Sequence, residues 1–233
     1  MQGPLDKSRH RAIRSYVLRA GRITPGQQRA LDQHWSRFGV DFEPQVLDLA
    51  QLFGRAAAPT LEIGFGNGEH LLERALARPE HDFLGVEVHR PGIGHLLLAA
   101  ANAGVRNLRV IAHDAIEVLR LQIAPGSLHE VQLLFPDPWP KKRHHKRRIV
   151  QPEFVALAAS RLGPGGRLHL ATDWEPYAEE MLRLLNDCSL LANCAGTGGF
   201  IDGAALEGRR ATRFERRGER LGHQVRELLY QRR

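Results

Sequence analysis

The chain has 233 residues, of which 42% are hydrophobic and 25% are charged, which suits one globular domain with a short extension. Its formal net charge of +7 favours phosphate-bearing partners, because a positive field steers anions toward the surface. Apolar runs fall well short of the ~20 residues that span a bilayer, and the basic N-terminus lacks the apolar stretch of a signal peptide. We therefore expect a cytoplasmic protein with no membrane attachment.

The two cysteines, Cys188 and Cys194, have the spacing of neither a CxxC motif nor a pair of zinc ligands. No cluster of histidines and cysteines with ligand spacing surrounds them in the sequence. We therefore predict that the protein holds no structural metal and uses no cysteine as a nucleophile.

Residues 1–45 differ in character from the rest of the chain. The run that begins Lys7-Ser-Arg-His-Arg-Ala-Ile-Arg is strongly basic. Thr24 and Pro25 then open a helical stretch, since Thr suits the N-cap position and Pro suits the first helical turn. We predict a basic N-terminal arm with a short helix over residues 1–45, followed by one domain over residues 46–233.

From residue 46 onward, short apolar runs alternate with longer helical ones. Strands are predicted at 60–63, 83–88, 108–112, 130–135 and 166–172, and helices at 69–77, 93–103, 115–121, 152–162 and 175–186. The stretch 224–230 alternates like a final, antiparallel edge strand. This order predicts an α/β fold, a Rossmann-like, doubly wound, mostly parallel sheet with helices on both faces. Ligands of such sheets bind beyond the carboxyl ends of the strands.

A glycine turn follows the first predicted strand. Gly64, Gly66 and Gly68 have the spacing GxGxG, which allows a tight turn and a close approach of the backbone to a ligand. The next residue is Glu69, where the dinucleotide fingerprint GxGxxG needs Gly or Ala, and no Walker A lysine follows. Glu62 places a carboxylate beside the turn, which would repel a pyrophosphate and attract the amino group of a methionine moiety.

Acidic residues also end the second and third predicted strands. Glu87 stands where a carboxylate can accept hydrogen bonds from both hydroxyls of a ribose. Asp114 stands where a carboxylate can accept from the amino group of an adenine. Each acid taken singly is also compatible with a solvated strand end. Together with Glu62 they offer partners for an amine, a ribose and an adenine, a set that fits S-adenosylmethionine better than NAD.

The fourth predicted strand runs into Phe135-Pro-Asp-Pro-Trp-Pro140, which we call the acceptor loop. Prolines on both sides of Asp137 fix the backbone and hold the carboxylate at the mouth of the site. Trp139 offers an aromatic face for stacking a base, although a core tryptophan fits the pattern almost as well. We predict that this loop holds the methyl acceptor.

A basic segment follows the acceptor loop directly. Six of the eight residues from Lys141 to Arg148 are Lys or Arg, and the other two are His. Such a run is most often a solvated face. Its position beside the acceptor loop instead indicates contacts with the phosphates of a nucleic acid.

Two further polar clusters are candidates for the site. Asp173 follows the fifth predicted strand, again at a carboxyl end. The segment from Thr212 to Glu215 combines charged residues with an aromatic ring shortly before the final strand. A polar loop leading to an edge strand would explain this second cluster equally well.

These motifs resemble the bacterial tRNA (guanine-N7-)-methyltransferase family, which belongs to the class I S-adenosylmethionine-dependent methyltransferases. The matching segments are Leu-Glu-Ile-Gly-Phe-Gly-Asn-Gly, Gly-Val-Glu-Val-His-Arg-Pro-Gly-Ile-Gly, Phe-Pro-Asp-Pro-Trp-Pro-Lys-Lys-Arg-His-His-Lys-Arg-Arg, Ala-Thr-Asp-Trp and Thr-Arg-Phe-Glu-Arg-Arg-Gly. The glycine turn would fit many methyltransferases, whereas the acceptor loop with its basic segment is highly specific. The resemblance implies methyl transfer from S-adenosylmethionine to N7 of a variable-loop guanine, guanine(46), in tRNA.

The resemblance also implies roles for individual residues, with Asp137 as the candidate catalytic residue. Cofactor contacts are expected from Glu62, Glu87, Asp114 and Asp137, in addition to Gly64, Gly66 and Gly68 of the turn. Substrate contacts are expected from Lys141, Asp173, Thr212, Arg213, Phe214 and Glu215. RNA contacts are expected from Arg143, His144, His145, Lys146, Arg147 and Arg148.

The chemistry of guanine N7 limits what Asp137 needs to do. N7 attacks the methyl group with a ring lone pair and carries no proton, so the step requires no general base. We expect Asp137, with Asp173, to accept hydrogen bonds from guanine N1–H and the exocyclic amine. These bonds would orient N7 and offset the charge that develops on the purine.

Three alternatives stay open on the sequence alone. They are a methyltransferase acting on another RNA or DNA base, a nicotinamide oxidoreductase and a non-catalytic RNA-binding protein. Glu69 in the fingerprint and the basic segment disfavour the oxidoreductase. A non-catalytic module would not need Glu62, Glu87 and Asp114 together. We expect a monomer or a homodimer.

Overall fold

The computed structural model describes residues 15–16, 22–196, 199–203 and 224–233. Its helices are α1 (Pro25–Phe38), α2 (Leu49–Phe53), α3 (Glu69–Ala77), α4 (Arg90–Ala103), α5 (Ala115–Leu121), α6 (Pro152–Arg161) and α7 (Glu175–Asn186). Its strands are β1 (Gly39–Val40), β2 (Thr60–Ile63), β3 (Phe83–Val86), β4 (Leu108–Ile111), β5 (Leu128–Leu134), β6 (Leu162–Thr172), β7 (Leu191–Asn193) and β8 (Arg226–Arg232). A short 3₁₀ helix spans Lys142–Arg147.

The strands form one sheet in the order β1-β4-β3-β2-β5-β6-β8-β7. All pairs from β1 to β6 are parallel, whereas β8 runs antiparallel to both β6 and β7. The predicted Rossmann-like α/β fold is confirmed, including its antiparallel C-terminal edge. That edge has two strands, because the three-residue β7 pairs outside the predicted final strand.

Apolar side chains cover both faces of this sheet. Strands β2 and β3 are buried along their whole length, as expected for parallel strands with helices on both sides. One apolar cluster joins the sheet to α5, α6 and α7, and a second joins it to α1, α3 and α4. The helices therefore hold the carboxyl ends of β2, β3, β4 and β5 in fixed positions along one edge of the sheet.

The described part of the N-terminal arm packs against the domain. Thr24 and Gln27 form a capping box at the start of α1, in agreement with the predicted N-cap. Helix α1 lies against α4, where a Cβ atom on Gly94 would come within 2.7 Å of the Gln27 carbonyl oxygen. Strand β1 then pairs with β4. The division into an arm, 1–45, and a domain, 46–233, stays a proposal.

The described residues contain no helix long and apolar enough to cross a membrane. In the same part of the chain, no three His, Cys, Asp or Glu side chains are grouped so that they could hold a metal ion. Cys188 is half-buried and Cys194 is exposed, and both are free thiols.

Replacing Gly94 by Ala should loosen the docking of α1. The new methyl group meets backbone of α1 that cannot rotate away, so we expect a net loss of about 1–2 kcal/mol in the free energy of unfolding. Thermal denaturation of Gly94→Ala should show a midpoint several degrees lower. Gly26→Ala is the control, because its Cβ would have no neighbour closer than 4.0 Å. Equal midpoints for the two variants would contradict the proposed packing.

Candidate functional site

The glycine turn after β2 adopts a backbone conformation that favours glycine. Gly64, Gly66 and Gly68 have φ angles of 71°, 59° and 77°, in the left-handed region. The turn also packs tightly against α4, since a Cβ atom on Gly92 would lie 2.1 Å from the carbonyl oxygen of Gly66. The predicted glycines therefore shape the turn, and the start of α4 fixes its position.

Glu87 ties this turn to the end of β3. One carboxylate oxygen accepts from the backbone amide of Gly66 at 2.9 Å, and the other accepts from the amides of Val88 at 2.7 Å and His89 at 2.9 Å. Three amide donors fix the position of the carboxylate. Since a carboxylate offers about four acceptor positions, Glu87 keeps capacity for a hydroxyl donor.

The other two predicted strand-end acids have partners in neighbouring helices. Glu62 is only 3% exposed, and its carboxylate lies 3.0 Å from Nδ1 of His70 in the first turn of α3. Asp114 caps α5, where its carboxylate accepts from the amide of Ile116 at 2.8 Å. Each acid is thereby held in place by the helix that follows its strand.

A cavity of about 260 Å³ opens at the carboxyl ends of β2, β3 and β5. Its lining includes Gly64, Gly66, Glu87, Asp137 and Tyr16. A second cavity of about 640 Å³ adjoins it and is lined by Asp114 together with the end of the basic segment. The two cavities share several wall residues, namely Ser15, Tyr16, Val88, His113 and Ile149.

The structure thus brings most of the predicted cofactor residues to one place. Gly64, Gly66, Glu87 and Asp137 line the smaller cavity and Asp114 lines the larger one. Glu62 and Gly68 line neither cavity. Ser15 and Tyr16 were not among the predicted site residues, and the sequence signals for them are their place in a basic arm and the resemblance of the run Arg-Ser-Tyr-Val to the same family.

The acceptor loop is strained at both ends. Phe135 has a φ angle of 54° and Trp139 one of 44°, which are the two described non-glycine residues in the left-handed region. Such conformations cost about 1–3 kcal/mol each and persist only where the surroundings enforce them. Asp137 lies between the two strained residues and is exposed at the cavity.

Arg148 helps to hold the acceptor loop in its strained conformation. Its Nε donates to the carbonyl of Pro138 at 2.8 Å, its Nη1 forms an ion pair with Glu180, and its guanidinium lies 4.6 Å from the centre of the Tyr177 ring. Burial raises the pKa of Tyr177, so its hydroxyl stays protonated beside the amide of Val150. Arg148 therefore clamps the acceptor loop to α7.

This position gives Arg148 a structural role, whereas its contact with RNA stays a prediction. The residue is only 3% exposed, and its charge is already paired with Glu180. A phosphate group would have to displace that carboxylate and open the acceptor loop. We therefore assign Arg148 to the scaffold of the site, and the proposed RNA contacts rest on the exposed cations of the segment.

Trp139 is enclosed more than its sequence context suggests. The guanidinium of Arg147 lies 4.5 Å from the centre of its ring, His144 packs edge-on at 5.9 Å, and its Nε1 donates to the carbonyl of Ser15 at 3.3 Å. Desolvation lowers the pKa of His144, and the nearby Arg143, Arg147, Lys141 and Lys146 lower it further. Arg147 covers one face of Trp139 and would have to move before a base could stack there.

The other residues of the basic segment differ in their exposure to solvent. Lys141, Lys142, Arg143 and Lys146 are exposed, whereas His144, His145 and Arg147 are half-buried. Asp173 is half-buried just before α7, as expected for a residue after the fifth predicted strand. The four predicted substrate residues Thr212, Arg213, Phe214 and Glu215 lie outside the described residues.

Comparisons with known proteins identify the family of this chain. Residues 56–228 match a family model described as "Putative methyltransferase". A tRNA (guanine-N(7)-)-methyltransferase of Halorhodospira halophila is 56% identical over 96% of this chain and 96% of its own length. The chain belongs to the tRNA (guanine-N(7)-)-methyltransferase family. The corresponding protein of Alkalilimnicola ehrlichii is also 56% identical, over 96% of this chain and 94% of its own length.

Solved structures related to this family member support the fold alone. The 16S rRNA methyltransferase KamB superposes with a TM-score of 0.57 at 19% identity, over 81% of this chain and 94% of that chain. TrmN from Thermus thermophilus superposes with a TM-score of 0.50 at 17% identity, over 89% of this chain and 48% of that chain.

Replacing Arg148 by Gln should destabilise the protein, while Lys146→Gln should not. Arg148→Gln removes the bond to Pro138 and leaves Glu180 unpaired, so we expect a loss of about 1–3 kcal/mol in the free energy of unfolding. Lys146 is exposed two residues away, and its replacement should stay within about 0.5 kcal/mol of the parent. Urea denaturation of both variants measures the difference. A similar stability for the two variants would argue against the clamp.

Proposed function

We propose that this chain transfers the methyl group of S-adenosylmethionine to N7 of a guanine in tRNA. The observation that carries the proposal is that one cavity is lined by the glycine turn, by Glu87 and by Asp137 of the acceptor loop. The proposed cofactor residues and the acceptor loop thus share one cavity. Two relatives named for this reaction are each 56% identical to this chain over 96% of its length. This similarity favours guanine N7 of tRNA over other bases as the methyl acceptor.

The residues of the cavity fit S-adenosylmethionine. Glu87 has acceptor capacity left for a ribose hydroxyl, and the space beside Gly64 is open, with no atom within 4 Å of the position of a Cβ. Ile63, Val86 and Leu133 give the cavity apolar walls for the uncharged parts of the molecule. We infer that Asp114, at the adjoining cavity, accepts from the adenine amine. When bound, the cofactor supplies an electrophilic methyl group on a sulfonium.

Asp137 orients the guanine in this proposal. Its carboxylate is exposed at the cavity and is held between prolines and two strained residues, so it has little freedom to turn away. It accepts hydrogen bonds from guanine N1–H and the exocyclic amine, with Asp173 as a second acceptor from the end of β6. These bonds present N7 to the methyl group and offset the developing positive charge.

The exposed part of the basic segment binds the tRNA backbone. Lys141, Lys142, Arg143 and Lys146 follow the acceptor loop directly and face solvent, so phosphates can approach them. Their contacts offset the cost of drawing a variable-loop guanine, guanine(46), out of its tertiary contact, a cost of a few kcal/mol. His144, His145 and Arg147 are half-buried, so they present less of their side chains to the tRNA backbone.

The remaining expectations stay part of the proposal. Thr212, Arg213, Phe214 and Glu215 contact the substrate, on the strength of the family resemblance alone. The protein acts in the cytoplasm as a monomer or a homodimer. Each chain carries both halves of the site, because Glu87 and Asp137 of the same chain line one cavity.

Replacing Asp137 by Asn should separate orientation of the guanine from cofactor binding. The amide keeps the shape but presents an N–H to guanine donors, so we expect kcat to fall at least about tenfold. The dissociation constant for S-adenosylmethionine should change less than kcat does. Asp187→Asn, which removes an exposed carboxylate on the far end of α7, is the control. A parental rate for Asp137→Asn would exclude the proposed role.

Neutralising the exposed cations should weaken tRNA binding in a salt-dependent way. The variant Lys142→Gln/Arg143→Gln/Lys146→Gln removes three charges from solvent-facing positions. Each phosphate interaction that the variant no longer makes should reduce the slope of log binding constant against log salt concentration by about 0.7–0.9. Filter binding of tRNA at several salt concentrations measures this slope. The same slope as in the parent protein would exclude the basic segment as a phosphate-binding surface.

A further inference from the structure

Three arginines converge on a concave surface that the proposed reaction does not use. Arg37 from the end of α1, Arg106 from the turn before β4 and Arg109 from β4 line a cavity of about 480 Å³ with Phe38 and Val105. We call these three residues the arginine cluster. It lies at the amino end of β4, whereas the cofactor and acceptor residues follow the carboxyl ends of the strands. The cluster is therefore separate from the site described above.

Backbone and aromatic contacts hold two of these guanidinium groups in place. Arg37 donates to the carbonyl of Val105 at 2.9 Å, and Arg109 donates to the carbonyls of Arg106 at 3.0 Å and Leu108 at 2.8 Å. The guanidinium of Arg37 also lies 4.7 Å from the centre of the Phe38 ring. Each guanidinium has five N–H donors, so most of them remain for a ligand.

The residues that line this cavity do not neutralise the positive charge of the arginine cluster. No carboxylate is among the described residues that line this cavity. Asp82 acts on Arg109 from outside, but its carboxylate is already bound by Arg55 through hydrogen bonds of 2.9 Å and 2.5 Å. Desolvation lowers the pKa of Arg109, with Asp82 acting in the opposite direction and Arg37 lowering it further. A bound anion would relieve the electrostatic repulsion between Arg37 and Arg109.

We propose that the arginine cluster is a binding site for a phosphate group. Planar guanidinium groups recognise phosphate oxygens through paired hydrogen bonds, and three of them from three elements can surround one tetrahedral anion. Arg37 and Arg106 are exposed, so an anion can enter from solvent. Arg109 is half-buried and is held by backbone carbonyls at the base of the cavity. The phosphate can come from a phosphodiester of bound RNA or from a small free phosphate ion.

The variant Arg37→Gln/Arg106→Gln tests the site by removing two of its three charges, both from exposed side chains. The matched control is Arg29→Gln/Arg183→Gln, which removes the same charge from exposed positions outside the cluster. In one arm, tRNA binding is measured against salt concentration. In the other arm, the thermal midpoint is measured in sodium phosphate and in sodium chloride of equal ionic strength. Methyl transfer to tRNA is followed in parallel as an independent readout of the proposed reaction.

Two results would support the proposal and identify the source of the phosphate. In the first arm, the slope of log binding constant against log salt concentration should fall by about 0.7–0.9 for each phosphate no longer bound. A fall in the cluster variant and not in the control identifies an RNA phosphodiester. A phosphate-specific rise in midpoint that the parent and the control show and the cluster variant lacks identifies a free ion. If the two variants behave alike in both arms, the proposed site is overturned. A parent protein that binds phosphate but does not methylate tRNA would contradict the reaction and leave this site intact.

Discussion

The carboxylate of Glu87 accepts hydrogen bonds from three backbone amides, and the geometry of the whole cofactor side depends on this arrangement. The bond to Gly66 joins the glycine turn of β2 to the end of β3, which are neighbouring strands in the sheet. Because the turn also rests on Gly92 at the start of α4, its backbone has little room to move. A ligand that binds there meets a preformed surface and does not have to order the loop.

The acceptor side depends on a different constraint, the clamp made by Arg148. Two residues of the acceptor loop adopt conformations that are unfavourable for side chains other than glycine. The bond from Arg148 to Pro138 and the ion pair with Glu180 connect this loop to α7 and offset part of that cost. Asp137 is therefore presented at the cavity by interactions that lie outside it. The same arginine ends the basic segment, so the acceptor loop and that segment share one anchor on α7.

The sequence predicts those features that depend on local patterns. Helices at 69–77, 115–121 and 175–186 begin and end as predicted, and glycine, aspartate and proline mark their N-terminal boundaries. The glycine turn and Glu87 are predictable for a related reason, since strand ends in a parallel sheet meet at one edge. What could not be predicted are contacts between distant positions. Trp139 donates to Ser15, 124 residues away, and no periodicity in the chain indicates that pair.

Arg148 and Lys146 illustrate the same limit within one segment. Both belong to an uninterrupted basic run, and composition alone gives them the same role. Burial separates them, because Arg148 finds a carboxylate 32 residues later in α7 while Lys146 faces solvent. Likewise, nothing in the sequence pattern relates Arg37 to Arg109, which the pairing of β1 with β4 brings to one surface.

The central claim is that the cavity between Glu87 and Asp137 positions guanine N7 of tRNA for methylation. The most direct test is to incubate the protein with bulk tRNA and S-adenosylmethionine that carries an isotopic label on its methyl group, and to identify the labelled nucleoside after digestion. The account predicts label in 7-methylguanosine. Label in any other nucleoside, or in none, would contradict it.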